Sequence, residues 1–270
     1  MDSDALFVPE GPETFRPTDF TRGPWSPDSL HGGPVVGLLA RTVERAAAAT
    51  GSALLCSRLT VEMLRPVPLD VLTTQAVVVK PGRRAAVVDG TLAHEGRVVA
   101  RASSLWIVFD PAGAAITGSV PSRPPTPAEP RRAGTIDYPA PGFNCDTCDL
   151  RYVSGSHETS GPGVSWINLH SALVEGEQNS PFVAVATVSD LAAAAGWEET
   201  AEGGRYINPD ITVQLLRLPQ GPWIGLDARV VHAGNGMAML DADLFDDHGP
   251  IGRVLQSLVE APTGLGYAST

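Results

Sequence analysis

An internal repeat constrains the fold of this chain more than any other feature of its sequence. Residues 59–66 (LTVEMLRP) recur as residues 211–218 (ITVQLLRL), so the two segments lie 152 positions apart (211 minus 59) in a chain of 270 residues. The same offset holds without a gap as far as Asp89 and Asp241. Self-similarity at about half the chain length indicates two copies of one folding unit. Positions at which the copies differ are then candidates for functional residues.

The composition is that of a globular protein with a substantial core, because 43% of the residues are hydrophobic and 18% are charged. The net charge of −11 disfavours general binding to nucleic acid or to an anionic membrane, since such binding needs a basic surface. Local cationic side chains can still hold a small anionic ligand. We therefore expect neither nucleic acid nor a membrane among the partners.

Local patterns also bear on location and cofactors. The N-terminus, MDSD, is acidic and is not followed by an apolar run, which predicts a cytoplasmic protein. No stretch reaches the roughly 18 apolar residues that a membrane span needs. Three cysteines favour reduced thiols, and the Cys145 and Cys148 pair lacks the second pair that a tetrahedral zinc site needs. We expect no metal site and no cofactor.

Each copy shows the same order of secondary-structure signals. In the first copy, apolar residues fall on one side of a helix whose other side carries Arg41, Glu44 and Arg45, which predicts a half-buried helix. In the second copy the helix signal covers residues 181–195 and stops at Gly196. Pro and Gly residues separate runs with strand character at 54–65, 71–80, 85–94 and 97–109, and again at 207–218, 223–233, 237–245 and 251–260.

The domain boundaries follow from this order. Residues 1–110 form an N-terminal unit, 111–149 a Pro- and Gly-rich connector, and 150–270 a C-terminal unit. One long helix followed by neighbouring antiparallel strands predicts an α+β fold in which a sheet wraps around the helix. Pairing two such sheets edge to edge removes one open edge from each sheet. The repeat therefore has a structural reason.

Five short motifs carry a family resemblance: HGGP at 31–34, LRPVP at 64–68, VSDL at 188–191, NPD at 208–210 and LQS at 255–257. With them the chain resembles the acyl-CoA thioesterase II family and its thioesterase-like relatives over nearly its whole length apart from the connector. The resemblance implies a double hot-dog fold of two tandem units, each with a long helix wrapped by an antiparallel sheet. It also implies hydrolysis of acyl-CoA to a free acid and CoA, and a homodimer or higher homo-oligomer.

Asp190 is an acid on the apolar side of the second predicted helix. A carboxylate in that position is expensive unless it is hydrogen-bonded or faces a cavity, and burial raises the pKa of such a group. We therefore expect a functional role and a raised pKa. The alternative is a structural acid that caps a neighbouring loop.

Two amides are further candidates. Gln256 lies where strand alternation predicts an apolar residue, and one added residue in the repeat aligns it with Ser103, so the copies differ there. Asn208 precedes Pro209, which favours an extended backbone and lets the amide face a cavity. The alternatives are a core amide satisfied within the fold for Gln256 and an ordinary turn signal for Asn208.

The resemblance assigns roles to these three residues. In the thioesterase II family an acid, a hydroxyl residue and a Gln position the water that attacks the thioester. Asp190 and Gln256 match the acid and the Gln, whereas Asn208 stands where the hydroxyl residue is expected. An amide can orient a water but cannot take its proton, so Asp190 is expected to act as general base or water orienter.

Other residues are candidates for substrate binding. Gly32 and Gly33 open the first helix, where backbone N–H groups can bind an oxyanion and small residues let a substrate approach. His31 can add a donor or, as we favour, cap the turn. Arg83 and Arg84 are candidates for contacts with CoA phosphates, with a solvated turn as the alternative that we favour.

Missing motifs exclude other enzyme classes. The chain has no Gly-x-Ser-x-Gly elbow, dinucleotide-binding fingerprint or phosphate loop. The leading hypothesis is thus a thioesterase. A non-catalytic acyl or acyl-CoA binding protein is the second hypothesis, supported by Asn208. A hot-dog hydratase or dehydratase is the third, and it would need His31 paired with Asp190.

Overall fold

The computed structural model describes residues 4–51, 53–109, 124, 141–199 and 204–261. Within these residues thirteen strands form one antiparallel sheet. The strands are β1 Phe7–Pro9, β2 Thr14–Pro17, β3 Leu54–Met63, β4 Leu72–Lys80, β5 Ala85–His94, β6 Arg97–Val108, β7 Cys148–Ser156, β8 Thr159–Leu169, β9 Tyr206–Ile207, β10 Asp210–Leu215, β11 Trp223–Gly234, β12 Met237–Asp246 and β13 Gly249–Glu260. The helices are α1 Gly32–Ala48, α2 Phe143–Asp146, α3 Pro181–Val188 and α4 Ala192–Ala195.

The order of the strands has a centre of symmetry. It reads β1-β2-β4-β5-β6-β3-β10-β13-β12-β11-β8-β7, so β3 and β10 are neighbours and each is followed outward by its own copy of the same strands. The eight predicted strands correspond to β3 to β6 and β10 to β13. Helices α1 and α3 pack against each other, and the buried hydrophobic side chains form one continuous cluster. The two copies therefore share a core.

Equivalent residues of the repeat meet at the centre of the sheet. Thr60 on β3 lies opposite Thr212 on β10, and their hydroxyl oxygens are 3.0 Å apart. The register also corrects the sequence alignment. Gln256 lies opposite Leu240 as Ser104 lies opposite Val88, so the 152-residue offset continues without an added residue. The counterpart of Gln256 is therefore Ser104 and not Ser103.

The first helix begins at Gly32, at the glycine pair that was expected to open it. His31 is its N-cap residue, with an extended backbone (φ −65°, ψ 148°). The predicted charged side is partly covered by the second copy, because Arg41 is 7% exposed and donates through Nε (2.7 Å) and Nη2 (2.6 Å) to the carboxylate of Glu177. Ser180, which caps α3, donates to Glu44. Arg41 is therefore buried although it lies on the charged side of the helix.

The second helix is interrupted where the sequence predicts a continuous one. It starts as α3 with Pro181 in its first turn, where a missing N–H is harmless. A 3₁₀ turn, Ser189–Leu191, then separates α3 from α4. The Ser189 hydroxyl donates to Ala186 O at 2.7 Å, which gives the backbone an alternative to the regular helical hydrogen bonds. The interruption contains Asp190.

The last part of the predicted connector contains regular structure. Helix α2 and the start of β7 fall within residues 111–149, and Phe143 is fully buried. Burial of this apolar side chain stabilises a segment of connector-like composition. Residues 110–123 and 125–140 lie outside the described residues, and the division of the chain into two units and a connector stays a prediction.

Two further observations concern the residues that the structure describes. None of their helices is long and apolar enough to cross a membrane. Their His, Cys, Asp and Glu side chains form no group of three or more that could hold a metal ion.

Candidate functional site

A cavity of about 730 Å³ lies between the two copies of the repeat. Its volume falls in the range of small-molecule sites, about 300–1,000 Å³. Both copies contribute to the wall, which is largely apolar and contains three aromatic side chains from separate segments, Trp25, Trp197 and Tyr206. The polar groups in the wall include three predicted site residues, His31, Asp190 and Asn208. A site at the boundary between copies uses residues that neither copy has alone.

Asp190 is the buried acid of this cavity. Its side chain is only 4% exposed, and the 3₁₀ turn directs it toward the start of α1. Its Oδ1 accepts a hydrogen bond from Asn208 Nδ2 at 2.7 Å, and its Oδ2 lies 2.6 Å from His31 Nδ1. The backbone N–H of Gly33 is a further donor to this carboxylate. Asp190 thus joins three segments that are distant in sequence.

These donors overturn the expected direction of the pKa shift. Burial acts to raise the pKa of Asp190, but the adjacent His31, the amide of Asn208 and the Gly33 N–H outweigh it. The pKa of Asp190 therefore lies below its ordinary value of 3.8. The prediction of a raised pKa was wrong because a sequence pattern shows the apolar surroundings and not the donors. The carboxylate stays ionised in the working range of most enzymes.

Asn208 lies in the turn between β9 and β10, directly before Pro209. The Pro209 carbonyl accepts from Met63 N at 2.8 Å, which ties the turn to the first copy of the repeat. One Asn208 N–H is used by Asp190, so its second N–H and its carbonyl oxygen remain for other partners.

Gln256 is buried beneath the cavity and is not part of its wall, whereas Leu258 on the same strand is. The Nε2 of Gln256 donates to Ser189 O at 3.2 Å, next to Asp190. Its Oε1 is buried without a hydrogen-bond partner in the part of the chain that the structure describes. In the first copy Ser104 fills the same place and is satisfied by Val88 O and Trp106 Nε1. The second copy therefore differs from the first in having a buried acceptor, Gln256 Oε1, without a hydrogen-bond partner among the described residues.

The two glycines at the helix start have a packing role. A Cβ on Gly32 would lie 2.7 Å from Asp190 Oδ2, and a Cβ on Gly33 would lie 2.5 Å from the Phe143 ring. Both glycines therefore allow neighbouring segments to approach α1 closely. Gly32 lines the cavity, whereas Gly33 does not.

His31 contributes to the site more than a simple cap would. Its ring packs on Phe143, with centroids 4.9 Å apart, and its Nδ1 faces both Asp190 and Gly33 N. Sequence reasoning left the partnership with Asp190 open and missed Phe143, which it assigned to the connector. An isolated aromatic residue just before β7 was the available signal.

Arg83 and Arg84 lie on an exposed turn, which was the favoured alternative to contacts with CoA phosphates. This turn lies between β4 and β5 and does not line the cavity. Two other cations do: Arg65, which is exposed, and Arg205, whose guanidinium lies 4.3 Å from the centroid of the Trp197 ring. Arg205 follows a segment with no clear periodicity, so no sequence pattern singles it out.

Comparison with models of known protein families shows the family of this chain. A model of the acyl-CoA thioesterase N-terminal domain matches residues 21–107, and a model of the acyl-CoA thioesterase C-terminal domain matches residues 119–259. The chain belongs to the acyl-CoA thioesterase family. Family membership makes it a thioester hydrolase. No curated protein sequence matches the chain.

Solved structures resemble this member of the acyl-CoA thioesterase family along nearly its whole length. A protein described as a thioesterase II from Thermobifida fusca YX has 18% identity and a TM-score of 0.71, with 95% of each chain covered. A protein of unknown function with a hot dog fold from Alicyclobacillus acidocaldarius has 17% identity and a TM-score of 0.69, with 97% of this chain and 98% of that chain covered. The acyl-CoA thioesterase II TesB2 from Mycobacterium marinum has 16% identity and a TM-score of 0.63, with 98% of each chain covered. The large antiparallel sheet with few helices agrees with the hot-dog thioesterase fold.

Proposed function

We propose that this chain hydrolyses acyl-CoA to a free acid and CoA in the cavity between the two copies of its repeat. The observation that carries the proposal is the convergence of Asp190, His31 and Asn208 on that cavity. A water beside an ionised, oriented carboxylate is a suitable nucleophile for a thioester carbonyl.

Each polar residue has a role in this scheme. Asp190 activates or orients the water, and the free N–H and carbonyl oxygen of Asn208 help to hold it. Gln256 fixes the backbone beside Asp190 through Ser189 O, and its unpartnered Oε1 accepts from a water. Gly32, whose N–H lies at the start of α1, donates to the developing oxyanion.

The acyl group and the CoA group of the substrate contact different parts of the cavity. The acyl group occupies the apolar wall of the cavity, and the phosphates of CoA meet Arg65 and Arg205. This assignment replaces Arg83 and Arg84 as first candidates because the latter lie away from the cavity. A local cationic pair is also compatible with the net charge of −11.

The scheme includes an architecture of two tandem hot-dog units, supported by the mirrored strand order and the Thr60 and Thr212 pair. We further propose a homodimer formed through the outer face of the sheet, where Val77, Met239 and Leu255 are exposed. Sedimentation of the full chain tests the dimer, and a monomer at micromolar concentration contradicts it.

The direct test is release of CoA thiol from a panel of short, medium, long and aromatic acyl-CoAs. Hydrolysis of at least one class is the expected result. Binding of acyl-CoA without release would instead support the acyl-binding alternative, whose basis is that Asn208 cannot take a proton.

A hydratase or dehydratase remains a distinct candidate because the pairing that it needs, His31 with Asp190, is present at 2.6 Å. It makes a different prediction: enoyl or hydroxyacyl substrates would change without release of thiol. Following the substrate and the thiol in one assay separates the two chemistries.

A further inference from the structure

The imidazole of His31 is held in a fixed orientation at the cavity wall. Phe143 packs against the ring, and Asp190 Oδ2 lies 2.6 Å from Nδ1. The backbone nitrogen of Gly33 is 3.2 Å from the same Nδ1. A ring with one edge fixed in this way presents its other nitrogen, Nε2, in one direction.

The short contact between His31 Nδ1 and Asp190 Oδ2 shows that a proton is shared by these two atoms. An N···O distance of 2.6 Å requires a proton between the two atoms, because two lone pairs at that distance repel. Because a carboxyl group is ordinarily a stronger acid than an imidazolium, this proton lies on Nδ1, and the Gly33 N–H, whose nitrogen is 3.2 Å from Nδ1, is also a donor to the carboxylate of Asp190. In the neutral ring Nε2 therefore carries the free lone pair.

The environment of Nε2 suits a proton acceptor. His31 lines the cavity, and no group among the described residues is hydrogen-bonded to Nε2. Asp190, in contrast, already accepts from Asn208, His31 and Gly33. A carboxylate stabilised by three donors is a weak base, whereas its charge stabilises an imidazolium next to it.

We propose that His31 Nε2 accepts the proton of the attacking water and that Asp190 acts on the reaction by positioning His31. This inference rests on the proposed thioester hydrolysis. The water oxygen bonds to the thioester carbonyl carbon while one water proton passes to Nε2. The tetrahedral intermediate then breaks its C–S bond, and the proton on Nε2 passes to the leaving CoA sulfur. The products are the free acid and CoA thiol, and the imidazole returns to its neutral form.

The variant His31→Asn tests the proposal because it removes the basic ring nitrogen and keeps a capping side chain with an N–H donor, although it also loses the packing on Phe143. Asn is a favourable N-cap residue, and its amide can still donate to Asp190, but it cannot take a proton at neutral pH. We expect kcat to fall about 100-fold or more, as for the loss of a general base, with acyl-CoA binding unchanged. His94→Asn is the matched control, because His94 pairs with Asp70 at 3.1 Å outside the cavity and its loss should leave kcat unchanged.

The outcomes separate this inference from the proposed function. A folded His31→Asn variant with kcat within about threefold of wild type overturns the role of His31 and leaves hydrolysis intact. A wild-type protein that releases no CoA overturns both. If His31→Asn does not fold, the kcat/KM profile of the wild type decides. An acid limb well above the ordinary Asp value of 3.8 supports the proposal. A limb below the ordinary Asp value of 3.8 assigns the proton to Asp190 and overturns it.

Discussion

The side chain of Asn208 donates to Asp190 Oδ1 over 2.7 Å and thereby connects the turn before β10 to the 3₁₀ turn after α3. Asp190 is buried while Asn208 is partly exposed, and this hydrogen bond, after the contacts with His31, helps to stabilise the buried charge. Asn208 is also the position at which the sequence resemblance leads us to expect a hydroxyl residue. Its replacement is therefore informative for both stability and chemistry.

Asn208→Ala should destabilise the fold by about 1.5–3 kcal/mol, the usual loss when a buried charged group loses a hydrogen bond. The pKa of Asp190 should rise, because one of the donors that lower it is gone. Denaturant unfolding measures the loss of stability, and the pH dependence of CoA release measures the rise in the pKa of Asp190. Asn208→Thr, which restores a hydroxyl, should keep most of the activity; a Thr variant as inactive as the Ala variant would show that only an amide works at this position.

Gly32→Ala should damage the site although it adds one methyl group. The new Cβ would lie 2.7 Å from Asp190 Oδ2, and three donors prevent the carboxylate from moving away. Overpacking of this kind costs about 1–3 kcal/mol, and the displaced Asp190 should lower kcat. Gly11→Ala is the control, because its Cβ would meet Thr14 at an ordinary 3.6 Å. Equal melting temperatures and rates for the two variants would contradict the close approach.

Asp246 should make the stability depend on pH in the acid range. Burial acts to raise its pKa, but Arg217 and the N–H groups of Gln220 and His248 lower it to about 2. A carboxylate with a depressed pKa stabilises the fold above its unfolded value and loses that contribution as the pH falls through the folded value. Asp246→Asn should therefore cost about 2 kcal/mol at neutral pH.

The difference in unfolding free energy between wild type and Asp246→Asn should shrink as the pH falls from about 4 to about 2. Urea unfolding across that range measures it. A difference that stays constant down to pH 2 would show that Arg217 does not hold an ionised Asp246.

Thr60 on β3 and Thr212 on β10 should contribute to the stability of the protein in a coupled way. Their hydroxyl contact of 3.0 Å predicts that Thr60→Val and Thr212→Val are not additive, with a coupling of about 0.5–1 kcal/mol. A double-mutant cycle by denaturant unfolding measures this energy. Thr73→Val and Thr212→Val, at residues that share no contact, should have additive effects on the free energy of unfolding. A coupling of equal size for this pair would show that the coupling of Thr60 with Thr212 does not come from their hydroxyl contact.

Periodicity and self-similarity predict much of this fold from sequence. Strand alternation and the 152-residue offset place β3 to β6 and β10 to β13, because a half-buried antiparallel sheet leaves that pattern in any chain. The strands that the pattern misses are β1, β2, β7, β8 and β9. The first four lie toward the sheet edges, β9 pairs with the end of β13, and β7 begins inside the predicted connector.

The site is only partly predictable for a physical reason. Asp190 stands out because an acid on an apolar helix side is unfavourable without partners. Its actual partners, His31 and the Gly33 N–H, are more than 150 positions away, and only the packing of α1 against α3 brings them together. The direction of the pKa shift of Asp190 depends on these contacts, so the sequence alone predicted it with the wrong sign.

The most direct test of the account is the rate of CoA release by Asp190→Asn beside wild type across the acyl-CoA panel. Asp243→Asn, whose carboxylate pairs with Arg253 at 2.6 Å outside the cavity, is the matched control. The account predicts a folded Asp190→Asn protein that binds acyl-CoA and releases CoA at least about 100-fold more slowly than wild type, while the control keeps its rate. Release by Asp190→Asn at the wild-type rate would contradict a reaction centred on Asp190.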